Sequence, residues 1–169
     1  MSNIKQLYSN GAHFLGLEII AKYFEEIIKR DKNLPIFSIG SGNGLLESKI
    51  DEIIGTDIIC VDNNPLSWSH IKNLYKTPLY KTIECIPLEI FKSKCAIFIN
   101  WSHPLDEIDI ESIIKLDPIY IITITETGIY RGAGSPKFHY FLNRCGIHTT
   151  GHYTDDSIES VNKIIDNNI

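Results

Sequence analysis

The sequence predicts a doubly wound α/β fold, a mostly parallel sheet with helices on both faces. Three observations predict it. Short apolar runs alternate with stretches of helical periodicity along the chain. Several of those runs are continuously apolar, as strands buried on both faces are. A glycine-rich turn, Gly40-Ser41-Gly42-Asn43-Gly44, stands where the first such run gives way to a helix.

Taken in order, Gly11 to Arg30 reads as a helix. Phe14, Leu17, Ile20, Ala21, Phe24, Ile27 and Ile28 recur at helical spacing, with Glu18, Lys22, Glu25, Glu26 and Lys29 on the other face. Residues 1–34 are expected to form an N-terminal helical segment of one domain spanning 1–169. Ile36-Phe37-Ser38-Ile39 is the first strand. Leu45 to Ile54 is a helix that Gly55 stops. Asp57 to Val61 is the second strand. Asn64-Pro65 has the form of an N-cap followed by proline at the first helical position, predicting a helix that carries Trp68, Ile71, Leu74 and Tyr75. Leu79 to Ile86 is expected to be a third strand and Cys95 to Ile99 a fourth. Asp106 to Leu116 is a helix whose acidic first turn suits the positive end of the helix dipole. Ile119 to Ile124 is the fifth strand. A glycine-rich loop, Thr127 to Ser135, leads to a helix over Lys137 to Arg144. Ile147 to Tyr153 reads as a sixth strand, while Ser157 to Ile165 fits helix and strand equally.

Composition narrows the functions. The net charge is −5, so no global basic footprint for nucleic acid is present, and such a substrate would need a local patch or a partner. Cys60, Cys85, Cys95 and Cys145 form no Cys-x-x-Cys pair, and the expectation is reduced thiols in a cytoplasmic protein. His139, His148 and His152 are too dispersed to predict a metal site, and His13, at the start of the first helix, is expected to face solvent rather than a cofactor pocket. No apolar run reaches membrane-spanning length, and no signal peptide is visible. The abundance of isoleucine, lysine and asparagine matches AT-rich coding, such as some large viruses or protists carry.

The glycine loop is the strongest functional signal. A turn this tight needs residues without a Cβ, and a ligand lying across it needs close backbone approach. Exposed N–H groups and the following helix N-terminus are expected to offer a site for negative charge. Asp62 ends the second strand about twenty residues beyond the loop, where an acid in doubly wound folds accepts hydrogen bonds from ribose hydroxyls. The alternative role for Asp62, capping the next helix, is one that Asn64 already suits. The spacing Gly40-x-Gly42-x-Gly44 departs from the dinucleotide fingerprint, with Leu45 where its third glycine would stand. No P-loop motif is present.

Ile36 to Glu47 resembles motif I of the class I S-adenosylmethionine-dependent methyltransferases, which are Rossmann-like. Ile59 to Pro65 resembles the acidic end of their second strand, and Cys95 to Pro104 their fourth strand with its following loop. The resemblance implies a seven-stranded sheet with S-adenosyl-L-methionine across its carboxyl edge. It implies that Gly40, Ser41, Gly42, Asn43 and Gly44 border the methionine part, that Asp62 with Asn63 holds the ribose, and that Glu84 and Cys85 flank the adenine. Members often carry an acid near the position of Ser38.

Asn100-Trp101-Ser102-His103-Pro104 follows the fourth strand at the carboxyl edge. Amino-methylating members carry Asn/Asp-Pro-Pro-Tyr/Phe here. Only Asn100 matches, with Trp101 as an aromatic stand-in, so nitrogen specificity does not carry over. Trp101 would stack a planar acceptor or favour the sulfonium through cation–π attraction. His103 is a candidate general base, and also a residue that merely turns the chain. In the loop after the fifth strand, Tyr130 and Arg131 are candidates to face the acceptor. The sequence leaves three functions open: a methyltransferase of unknown acceptor (small molecule, protein or nucleic acid), a non-catalytic methyltransferase-like binding or regulatory protein with a protein partner, and a nucleotide-binding oxidoreductase, which the glycine spacing disfavours.

Overall fold

A computed structural model describes residues 17–67, 71–91, 93–126, 133–145, 148–154 and 157–165. The elements are α1 (Leu17–Arg30), β1 (Ile36–Ile39), α2 (Leu45–Ile54), β2 (Ile59–Val61), a 3-10 turn (Ile83–Cys85), a single helical turn α3 (Leu88–Phe91), β3 (Ala96–Asn100), α4 (Ile108–Leu116), β4 (Tyr120–Glu126), α5 (Pro136–Arg144), β5 (His148–Thr154) and β6 (Ser157–Ile165). The sheet has six strands in the order β2-β1-β3-β4-β6-β5. The first four are parallel, and β6 runs antiparallel to both β4 and β5.

Strand alternation explains why helices cover both faces. Ile36 in β1, Ala96 and Phe98 in β3, and Tyr120, Ile122 and Ile124 in β4 point to one side. There Ile20, Phe24 and Ile27 of α1 and Leu45, Leu46 and Ile50 of α2 cover them, with Phe24 edge-on to Phe98 at 5.3 Å between ring centroids. Phe37, Ile39, Ile97, Ile99 and Ile121 point to the other side, under Ile113 and Leu116 of α4 and Phe138 and Leu142 of α5. This two-sided burial is why the strands read as unbroken apolar runs. Because β1 to β4 are parallel, the loops after all four strands gather at one edge of the sheet.

Two predicted elements are corrected. In its described part the segment after Asn64-Pro65 makes a turn, with Ser67 N–H donating to Asn64 O, and residues 71–74 have no regular structure; Trp68 lies outside the described residues. The Tyr75 N–H instead donates to Asn43 O, at 2.8 Å, and Lys76 N–H to the same oxygen at 3.3 Å. Backbone donors that a helix would need are drawn to the glycine loop, and Leu74 and Tyr75 stay exposed.

The expected strand over Leu79 to Ile86 reduces to one bridge, Val61 to Tyr80. The chain then turns, with Cys85 N–H donating to Thr82 O and Ile86 N–H to Ile83 O. In a strand Ile83 and Ile86 would face opposite sides; the turn buries both in the same cluster. The described sheet therefore has six strands where the resemblance implied seven.

Candidate functional site at the carboxyl edge

Gly40, Gly42 and Gly44 have φ of +67°, +56° and +72°, the left-handed region that disfavours any side chain. Gly44 is constrained twice, since a Cβ there would lie 2.6 Å from Lys76 Cβ and 2.7 Å from Lys76 O. The loop's backbone donors are largely committed internally. Gly40 and Ser41 N–H donate to Val61 O, Gly42 N–H to Asp62 Oδ2 at 2.8 Å, Gly44 N–H to Ser41 O, and Leu45 N–H to Asn43 Oδ1. The expected cradle of exposed N–H groups for negative charge is thus not what this loop presents.

Asp62 is half-buried, and its carboxylate braces the loop. Oδ2 accepts from Gly42 and Oδ1 accepts from Asn64 N–H at 2.7 Å. Each carboxylate oxygen retains a lone pair, so the group can still accept from a ligand hydroxyl. Asn63 beside it is exposed. Glu84 and Cys85 lie on the 3-10 turn, both exposed. The Lys115 ammonium holds the Glu84 carboxyl at about 2, and the Thr82 hydroxyl beside Cys85 lowers its thiol below the usual range.

A buried acid lies beneath the loop. Glu47, in the first turn of α2, is 1% exposed and accepts a 2.6 Å hydrogen bond from Ser38 Oγ. Its other oxygen, Oε2, has no hydrogen-bond partner among the described residues. Burial pushes the carboxyl up to about 7, against the lowering by Ser38. The position where the resemblance expects an acid, Ser38, thus touches one supplied by the helix.

At the end of β3, Asn100 is half-buried, with its Oδ1 lacking a hydrogen-bond partner among the described residues. Trp101 is a non-glycine residue at φ +56°, and its N–H donates to Ile124 O of β4. Ser102 is held from both ends. Its Oγ donates to Asp109 Oδ2 at 2.8 Å, and its carbonyl accepts from Gly134 N–H at 2.7 Å. Asp109 is fully buried and also accepts from Ser135 N–H, Ser135 Oγ and Ile110 N–H. His103 is exposed, and its Nδ1 accepts from Leu105 N–H in its own turn. Tyr130 and Arg131 lie outside the described residues.

At the level of sequence, neither a family model nor a curated protein matches the chain. Solved structures do. M. capricolum TrmK in complex with S-adenosylhomocysteine is similar with a TM-score of 0.52 and 15% identity, over 92% of this chain and 69% of that one. A putative tRNA (m1A22) methyltransferase of Streptococcus pneumoniae is similar with a TM-score of 0.52 and 10% identity, over 94% and 72%. The human methyltransferase 10 domain containing protein gives 0.51 and 10%, over 91% and 84%. The chain has the class I S-adenosylmethionine-dependent methyltransferase fold.

On this methyltransferase fold two groups of candidates stand at one edge. Gly40 to Gly44 and Asp62 stand together after β1 and β2, and Asn100 with Trp101 stands after β3. Sequence reasoning missed Glu47, Asp109 and Ser135. Asp109 lies within the acidic first turn that the sequence assigned only to the helix dipole. The Ser135-Pro136 pair, an N-cap followed by proline, was the available signal, and Ser135 Oγ does accept from Phe138 N–H at 3.1 Å. Among the described residues no group of three or more His, Cys, Asp or Glu side chains is placed to hold a metal ion, and no helix is long and apolar enough to cross a membrane.

Proposed function

We propose that the chain is an S-adenosyl-L-methionine-dependent methyltransferase. The observation that carries this reading is the electrostatic character of the glycine loop. A phosphate-binding loop turns free N–H groups and a positive helix end toward the ligand. Here those donors are engaged by Val61, Ser41, Asn43 and Asp62, and a buried carboxyl occupies the first turn of the helix. Such a loop disfavours a pyrophosphate and suits a ribose-bearing ligand whose near end is a zwitterionic amino acid. That disfavours the oxidoreductase reading on grounds independent of glycine spacing.

In this assignment Gly40, Ser41, Gly42, Asn43 and Gly44 border the methionine part, Asp62 with Asn63 takes the ribose, and Glu84 and Cys85 flank the adenine. The bound cofactor supplies an electrophilic methyl group. The chain's own work is to place an acceptor in line with it, which Asn100 and Trp101 do from the end of β3, with Tyr130 and Arg131 on the acceptor side. His103 takes a turn-forming role. The acceptor's class stays open, and a protein partner is one of the candidates.

The test is binding. S-adenosylhomocysteine should raise the thermal midpoint, because a ligand specific for the native state stabilises it by about 2.7 kcal/mol at a hundredfold excess over Kd. NAD should not. The absence of both a shift and calorimetric heat at millimolar S-adenosylhomocysteine would overturn the cofactor assignment. Binding without methyl transfer to any acceptor class would favour the non-catalytic alternative.

A further inference from the structure

Among the described residues Glu47 forms no ion pair. The groups that face it are Ser38 from β1, Cys60 from β2, Asp51 further along α2, and Lys76 from the segment that packs on Gly44. Ser38 gives one hydrogen bond. The Cys60 thiol is itself pushed up to about 12, chiefly by burial, and contributes no positive charge. Asp51 is another acid. The Nζ of Lys76 is held by Asp51 and by Asp57, the latter at 2.6 Å. A carboxylate helped only by Ser38, its own backbone N–H and a lysine shared with two other acids, with one oxygen orphaned among the described residues, is costly to keep ionised in a dry interior. Burial accordingly pushes the Glu47 carboxyl up to about 7, against the lowering by Ser38 and by its own backbone N–H.

We propose that Glu47 is a positioning residue for the cofactor: its carboxylate, beneath the glycine loop, serves as counter-charge for the ligand's ammonium group, so that binding drives its proton into solvent. The inference rests on the cofactor reading above, since both S-adenosylmethionine and S-adenosylhomocysteine carry that ammonium on the methionine part. No direct contact is required, because charges in a low-dielectric interior interact over several ångströms. Ser38 tunes the device, as its hydroxyl favours the ionised carboxyl. The same charge would repel a phosphate placed on the loop, so one buried acid both attracts the right ligand and rejects the wrong one.

Calorimetry of the full chain with S-adenosylhomocysteine, at pH 6, 7 and 8 in two buffers of different ionisation enthalpy, tests this. The wild-type protein should release up to about one proton more per ligand than Glu47→Gln at pH 6. Its affinity should rise about tenfold more from pH 6 to pH 8 than that of the variant. The difference between the two proteins removes the ligand's own titration. Ser38→Ala should move the rise to higher pH while the protein stays folded, which a merely structural role for the pair would not do, and which decides the matter if Glu47→Gln does not fold. Equal proton counts in wild type and Glu47→Gln, or a Ser38→Ala profile that does not move, would overturn the proposal while leaving the cofactor assignment standing. No binding by the wild-type protein at any pH would overturn both.

Discussion

Two buried acids stand behind the two halves of the carboxyl edge, and their surroundings differ. Glu47, under the glycine loop, receives a single side-chain hydrogen bond, from Ser38, and keeps one oxygen without a partner among the described residues. Asp109, behind Asn100 to Ser102, receives four, from Ser102 Oγ, Ser135 N–H, Ser135 Oγ and Ile110 N–H. Burial is nearly identical, at 1% and 0% exposure. What differs is the number of donors, and that decides what each acid can do. A fully satisfied carboxylate is a joint, tying Ser102 in the loop after β3, through Asp109 of α4, to the cap of α5, which lies 26 residues beyond Asp109. An under-satisfied one is a group whose protonation a ligand can change.

The comparison predicts a graded series of effects. Asp109→Ala should be the largest. It leaves the Ser102 and Ser135 hydroxyls and the Ser135 N–H without their acceptor, and should cost about 3–5 kcal/mol in urea unfolding. If the cost is under about 1 kcal/mol, Asp109 is not the joint described here. Gly44→Ala should cost about 2–4 kcal/mol, since the left-handed backbone and the contact with Lys76 both oppose a Cβ. A neutral result in the same unfolding measurement would mean that the Lys76 segment moves away without penalty.

Glu47→Gln should act in the opposite direction. The carboxyl titrates near 4.5 when exposed and about 7 when folded. Between those values the native state holds more protons than the unfolded chain, so stability falls as pH rises through the window and stays lower above it. The variant should therefore be more stable than wild type at pH 8, by up to about 3 kcal/mol, and the gain should vanish below about pH 4.5. Thermal midpoints measured across that range check the sign. Asp62→Ala should be the mildest for the fold, at about 1 kcal/mol for two partly exposed hydrogen bonds. It should also weaken S-adenosylhomocysteine binding by about tenfold or more. If stability drops while affinity per folded molecule does not, Asp62 is a brace alone.

Much of the geometry of the glycine-loop half was legible in the sequence because it is local. The loop, Asp62 and the strands that aim them lie within one βαβ stretch, and glycine spacing reports backbone geometry directly. The half after β3 was legible only in part. Asn100 and Trp101 were placed by the end of a strand, but the joint that fixes them draws on Ser102, Asp109 and Ser135, whose sequence separation carries no periodic signal. Glu47 was invisible for a different reason. An acid in the first turn of a helix ordinarily faces solvent and the helix dipole, and nothing in its neighbours says that this one points inward.

Local chemistry alone determined the parallel strands, their two-sided burial, the glycine turn and the stops of the helices, because apolar runs and left-handed backbone positions are written residue by residue. The tertiary structure decided where local signals were balanced or overridden. Ser157 to Ile165 fits helix and strand equally by pattern, and becomes a strand because it is paired on both sides, to β4 and to β5. The helix expected after Pro65 is absent from the described part of its span because Asn43 O accepts the N–H groups of Tyr75 and Lys76. Leu79 to Ile86 turns because a 3-10 turn puts Ile83 and Ile86 into one cluster, where a strand would split them. In each case a backbone donor or an apolar side chain found its partner at a distance along the chain that no sequence window spans.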